Sequence, residues 1–445
     1  MATMLIATPV GDIVAGHEDG IVRGRGIPYA ETPIGPMRFA PPRRRAAFGH
    51  LFDARRDAAT PQRGTPYPMT VIPEPSVPGD DILQLSITAP AQAVGTGASL
   101  PVLFWIHGGG YVAGSPASPW YDGAALARAG VIVVRPAYRL GIEGFGVVDG
   151  DANRGLADLL CALDWVRECV HAFGGDPARI TIAGQSAGGG AVLALLASPV
   201  AAGRFARAAC FSGVDTSLDE RRVASLTDAV AARLGVAATA DGLGGSDPLE
   251  LQTALLTEQT TLGVGPVHGT SLLPAPIHAA LGTSGTGVPL LIGATADEFD
   301  SPGLAVELTG APAPRPQPEG SRPTDLMFRS VIPRTAKARA DGAGTWSYSF
   351  DWPSPVLRGA GHCIDLPFWF GALDAPGVTE VVGAQPPAGL AQVMSQQFVS
   401  FVRGEQPAWP RARGEIGDAA RVFTADGTAT LVEGRYDVVH PAAGR

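Results

Sequence analysis

Five residues, Gly184-Gln185-Ser186-Ala187-Gly188, restrict what this chain can fold into more than any other stretch. Before them runs Arg179-Ile180-Thr181-Ile182-Ala183, whose β-branched alternation reads as a buried strand. After them, Ala187 to Ser198 is small and apolar all round, which reads as a helix covered on every side. A strand that enters such a helix without a linker turns so tightly that only glycine fits beside the turn. Ser186 is then presented at a helix N-terminus, the position of a nucleophile on a strand-turn-helix elbow. With 21 serines and 58 glycines in 445 residues, the five-residue pattern arises by chance too often to carry weight alone. The order of strand, turn and helix around it is what counts.

The same alternation of short apolar runs and helical patterns continues along the chain. Pro101 to Ile106, Val131 to Val134 and Pro289 to Ala294 read as buried strands. Gly155 to Phe173 spaces Leu156, Leu159, Leu160, Leu163, Val166 and Val170 as one face of a helix. The fold class is therefore α/β, a mostly parallel sheet wrapped by helices. At 45% hydrophobic and 17% charged residues the core material is ample. Length alone suggests about three domains at ~150 residues each. Two proline-rich stretches, Pro61 to Asp80 and Ser301 to Pro323, offer themselves as linkers. The motifs straddle both, so the chain reads as one domain over residues 1–445, with those stretches as surface loops rimming a site.

Net charge is −9 and Lys337 is the only lysine, so binding to a phosphate backbone is not expected. No apolar run approaches the ~20 residues of a membrane span, and Met1 to Gly11 has no basic leader region. Cys161, Cys169, Cys210 and Cys363 show no metal-ligand spacing. Cys161 and Cys169, on one helix, stand ~12 Å apart and cannot bridge. Reduced, buried thiols in a cytoplasmic protein are the expectation.

Serine chemistry needs backbone N–H groups aimed at the oxyanion. His107-Gly108-Gly109-Gly110 supplies a glycine loop directly after a strand, and the N–H groups of Gly109, Gly110 and Ala187 are the candidate donors. The elbow architecture runs serine, acid, histidine along the chain. His17, His50 and His171 flank the wrong elements, and His107 belongs to the glycine loop. His268 and His278 precede the best acid, while His440 lies near a terminus expected to fray. His362, in Gly359-Ala360-Gly361-His362 after the strand Thr345 to Phe350, remains as the general base. The acid falls in Asp297-Glu298-Phe299-Asp300, where spacing leaves three carboxylates open.

Across nearly its whole length the chain resembles the type-B carboxylesterase/lipase family of α/β-hydrolases, which includes the cholinesterases. The resemblance rests on Gly26-Ile27-Pro28-Tyr29-Ala30, Arg38-Phe39, His107 to Gly110, Tyr138-Arg139-Leu140-Gly141, Asn153 and Asp158. It continues through Phe173-Gly174-Gly175-Asp176-Pro177, the elbow, Ser212-Gly213, Thr324-Asp325 with Phe328, and Gly359 to Phe370. It implies a twisted, mostly parallel sheet with insertions forming a lid. It also implies Glu298 as the acid, because the family uses the glutamate of an Asp-Glu pair there, and Ser212 as a support for that acid. The implied activity is cleavage of a small to medium apolar ester by Ser186, His362 and Glu298 through an acyl-enzyme, with no cofactor and no metal. Amide or carbamate cleavage, acyl transfer, and a non-catalytic adhesion role on the same fold are the alternatives. A monomer or weak homodimer is expected. Several positions depart from the pattern: Phe299 replaces the glycine after Asp-Glu, which keeps Asp300 in play, and Thr60 and Ile82 stand where many members have cysteine. His268 replaces an aspartate, Ala137 replaces an asparagine, and the segment from Glu298 to His362 is short, which implies a trimmed lid.

Overall fold

Side chains of a strand point alternately to its two faces, so a strand apolar at every position must be covered on both. Leu100–Ile106 does this: Val102, Phe104 and Ile106 join one hydrophobic core, while Leu103 and Trp105 join another. The structure is a computed structural model that describes residues 2–61, 71–259, 262–302 and 317–441. Its strands are β1 (Ala2–Thr8), β2 (Gly11–Glu18), β3 (Ile21–Pro28), β4 (Phe52–Ala54), β5 (Gln84–Pro90), β6 (Leu100–Ile106) and β7 (Ile132–Pro136). They continue with β8 (Gly175–Gln185), β9 (Arg207–Phe211), β10 (Leu290–Thr295), β11 (Thr345–Phe350), β12 (Ala419–Phe423) and β13 (Ala429–Glu433).

One sheet takes them all, in the order β1-β2-β3-β5-β7-β6-β8-β9-β10-β11-β12-β13, with β4 beside β2. From β7 to β12 every neighbouring pair is parallel, and the flanking pairs outside that run are antiparallel except β2 with β4, which is parallel. Helix α1 (Arg154–Cys169) and the wholly buried α2 (Ala187–Ala197) pack on the first core. Helix α3 (Ala388–Arg403) lays Leu390, Met394 and Phe398 on the second. This is the mostly parallel, helix-flanked sheet of the α/β-hydrolase fold. Because β6, β8, β10 and β11 all run the same way, the loops after them emerge along one edge of the sheet. In such sheets ligand sites form at the carboxyl ends of the strands.

Some boundaries differ from the sequence reading. The helix expected to reach Phe173 ends at Cys169 and tightens into a 3₁₀ turn over Val170–Phe173, closed by Gly174 at φ +86°. Strand β8 begins at Gly175, ahead of its apolar run, because Gly175 pairs with Leu100. The C-terminal region does not fray at His440, which is buried with Nε2 2.7 Å from the Gly414 carbonyl oxygen. Of the proline-rich rims, residues 62–70 and 303–316 lie outside the described residues. Among the described residues no helix is long and apolar enough to cross a membrane.

All four cysteines are free thiols, three buried and Cys161 half-buried. Burial pushes the pKa values of Cys161, Cys169 and Cys210 up to about 12, which keeps them protonated and unreactive. Thr60, at one of the positions where many members have cysteine, instead accepts a hydrogen bond from the Val77 N–H at 3.0 Å. Thermal stability is therefore expected to be indifferent to reductant. A melting temperature several degrees lower in dithiothreitol would show a disulfide contributing.

Candidate active site

The elbow is built by close approach. A Cβ on Gly184 would lie 2.5 Å from the Gly188 carbonyl carbon, and one on Gly188 would lie 2.1 Å from the Ile106 oxygen. Only glycine lets β8, α2 and β6 come this near one another. Ser186, between them, adopts φ 57° and ψ −123°. A non-glycine residue in so sparse a region costs ~1–3 kcal/mol and persists only where its surroundings hold it. Here the Ser186 N–H donates to the Phe211 oxygen and the Gly190 N–H donates to the Ser186 oxygen, both at 2.9 Å.

The glycine loop leaves β6 beside this turn. A Cβ on Gly108 would come within 3.0 Å of Ser186 Cβ. Gly109 has φ +112°, and a Cβ there would meet the Ala113 carbonyl at 2.3 Å. The Gly109 oxygen accepts from Val112 and Ala113, which folds the loop back on itself. Among the described residues the N–H groups of Gly109 and Gly110 donate to nothing, and that of Ala187 is the first of α2, without an intrahelical acceptor. The loop is held from below by the Tyr138 hydroxyl, which donates to the His107 oxygen at 2.9 Å. The next residue, Arg139, forms a buried ion pair with Asp158 at 2.7 Å. That pair anchors the segment carrying Tyr138.

His362 arrives from the loop after β11, with Nε2 3.0 Å from Ser186 Oγ. Its Nδ1 is hydrogen-bonded to Glu298 Oε2, and its backbone N–H donates to the Glu298 carbonyl oxygen at 2.9 Å. Glu298 is fully buried, and its other oxygen accepts from the Thr295 N–H at 2.8 Å. The neighbouring carboxylates point elsewhere. Asp297 accepts from the Ala360 N–H, and Asp300 accepts from the Thr324 N–H. Of the three candidate acids, Glu298 alone reaches the imidazole. Phe299 does not turn the loop away; its ring packs 4.8 Å from the His362 ring, with Phe328 at 4.9 Å.

The support expected from Ser212 is not there. Its backbone N–H is tied to the Gly293 oxygen and its hydroxyl, though buried, has no hydrogen-bond partner among the described residues. The Thr295 backbone N–H orients Glu298 instead, which a reading of side chains could not find. Two further neighbours escaped that reading. Gln185 Nε2 lies 3.1 Å from His362 Nε2 and 3.0 Å from Cys363 Sγ; its only signal was its place inside the elbow. Asp365 sits buried behind the site, receiving hydrogen bonds from Trp369 Nε1 at 3.1 Å and the Tyr348 hydroxyl at 3.3 Å. Burial, then the charge of Glu298, push its pKa up to about 7. His268 lies outside the set, its backbone N–H bonded to Leu218. Among the described residues no three His, Cys, Asp or Glu side chains group as metal ligands.

A hydroxyl bonded to an imidazole, itself bonded to a buried carboxylate, is an arrangement able to generate an oxygen nucleophile. Residues 10–306 match the Carboxylesterase family. The chain is 32% identical to the para-nitrobenzyl esterase of Bacillus subtilis, over 92% of this chain and 93% of that one. It is 33% identical to the phenmedipham hydrolase of Pseudarthrobacter oxydans, over 98% and 96%. A carboxylesterase structure from Geobacillus stearothermophilus superposes with a TM-score of 0.83 at 31% identity, covering 98% of this chain and 99% of the other.

Proposed function

From the premise that this chain belongs to the carboxylesterase family and is an ester-hydrolysing enzyme, we propose that it works through Ser186, His362 and Glu298 by way of an acyl-enzyme. The observation that carries the reading is the buried hydrogen-bonded chain from Ser186 Oγ through His362 to Glu298, closed by the Thr295 N–H. His362 Nε2 accepts the hydroxyl proton as Ser186 Oγ attacks the ester carbonyl. The N–H groups of Gly109, Gly110 and Ala187 receive the oxyanion. His362 then protonates the leaving alcohol, and later takes a proton from the water that releases the acid. The substrate is a small to medium apolar ester, and residues 1–445 act as one catalytic domain, monomeric or weakly dimeric and cytoplasmic. A series of p-nitrophenyl esters of graded acyl length, with matched anilides, tests this. Esters should be turned over with the highest kcat/KM at short to medium acyl chains. Anilide hydrolysis at comparable kcat/KM would move the reading to amides.

Run across pH, the same assay reports the base. Burial works to lower the pKa of His362, while the charges of an ionised Cys363 and of Glu298 raise it, and the net direction is upward. Burial holds the Cys363 thiol above its ordinary value, so it stays neutral near pH 7 and Glu298 is the raising group there. Only neutral imidazole accepts the serine proton, and a raised pKa keeps it cationic to higher pH. Activity is therefore expected to rise with pH, half-maximal above the ~6.5 of a free histidine. A rate flat from about pH 5 to 9 with chemistry limiting would contradict this.

A further inference from the structure

A cleft of about 260 Å³ lies between the C-terminal end of α3 and strand β12, and none of its lining residues belongs to the serine site. Gln397, Ser400 and Phe401 of α3 form one wall; Trp409 and Arg421 form the other, with Glu405 at the solvent rim. The aromatic surfaces are fixed. Phe401 is 2% exposed, and Trp409 Nε1 donates to the Ser347 oxygen at 3.0 Å, which sets the plane of the indole. Arg421 is different: its guanidinium forms no ion pair with any carboxylate of the described residues, and its Nε is shielded from water without a hydrogen-bond partner. Burial pulls its pKa down from the usual value, as expected for a charge losing solvent and gaining no partner. Glu405 forms no ion pair with it either. A second guanidinium, Arg207, sits 5.3 Å over the Phe401 ring. The cleft thus presents a guanidinium with no carboxylate partner beside the half-buried indole of Trp409.

A partly buried, unpaired guanidinium gains most from a ligand offering two coplanar acceptors, which is the geometry of a carboxylate. The indole surface suits a flat apolar body, and the volume admits only a small one. We propose that this cleft is a second small-molecule site, separate from the ester-cleaving one, which takes an aromatic monocarboxylate through Arg421 and Trp409.

The probe is 4-fluorobenzoate, followed by its fluorine resonance as the full-length enzyme is titrated. Binding with Kd on the order of 1 mM is expected for one charge-assisted pair and one ring contact. Arg421→Met and Trp409→Leu should each raise Kd at least about tenfold, and Arg421→Lys should fall between, since it keeps the charge but loses the fork. The uncharged 4-fluorobenzyl alcohol should not bind there. Ester hydrolysis and melting temperature should be unchanged in Arg421→Met. Two results would overturn the proposal: no binding by the wild type at tens of millimolar, or equal binding by wild type, Arg421→Met and Trp409→Leu.

Discussion

Ser186→Ala is expected to lower kcat by on the order of 10⁶, the size of loss seen when the nucleophile of such a triad is removed. The loss follows from the proposed chemistry, in which Ser186 Oγ forms the bond to the acyl carbon; no other hydroxyl is hydrogen-bonded to His362 among the described residues. The substitution should leave the fold intact. Ser186 Cβ stays in place, and the turn is held by backbone hydrogen bonds to Phe211 and Gly190. The wild-type enzyme should be labelled once by an organophosphate, on Ser186, and the alanine variant should not be labelled. Intact mass followed by peptide mapping reads both. A label on another residue, or a variant retaining more than about a hundredth of wild-type kcat, would remove Ser186 from the mechanism.

The second large effect concerns the acid. Glu298→Gln should slow turnover by up to ~10⁴, because the amide favours the wrong imidazole tautomer and no longer stabilises the imidazolium. Asp297→Asn and Asp300→Asn should keep substantial activity, since those carboxylates cap the backbone at Ala360 and Thr324 rather than facing the ring. Loss of the Glu298 charge should also shift the pH limb of the residual activity downward, the direction opposite to the effect of that charge in the wild type. This separates an electrostatic role from a merely structural one. An active Glu298→Gln beside a crippled Asp300→Asn would make Asp300 the acid and leave the rest of the mechanism standing.

Part of this was legible in residues near one another in the chain, because local sterics and periodicity act at short range. Glycines at 184 and 188 around a serine, between an apolar strand and a helix with no polar face, admit one local geometry, and the structure has it. The same holds for the apolar runs of β6 and β10, which must be buried on both faces and so require helices on both. Element ends were less legible: β8 extends to Gly175 because a neighbouring strand offers it a partner, which no local pattern encodes.

The acid and its surroundings depended on contacts between distant segments. Three carboxylates within four residues look alike in sequence, and resemblance to a family favoured Glu298 without a geometric reason. The tertiary structure separates them through partners 24 to 64 residues away: His362 for Glu298, Ala360 for Asp297, Thr324 for Asp300. It also replaces the expected Ser212 hydroxyl with a backbone N–H, a donor that every residue but proline carries and that side-chain identity cannot reveal. Gln185 and Phe328 enter beside His362 for the same reason, through parallel strands that bring separate loops to one edge of the sheet. Sequence by itself determined the turn, the helix and the class of chemistry, since each depends on residues within a few positions. Which carboxylate faces the imidazole, what holds it there and what packs on the ring were decided only by the folded chain, where long-range hydrogen bonds and packing select among groups that are chemically equivalent.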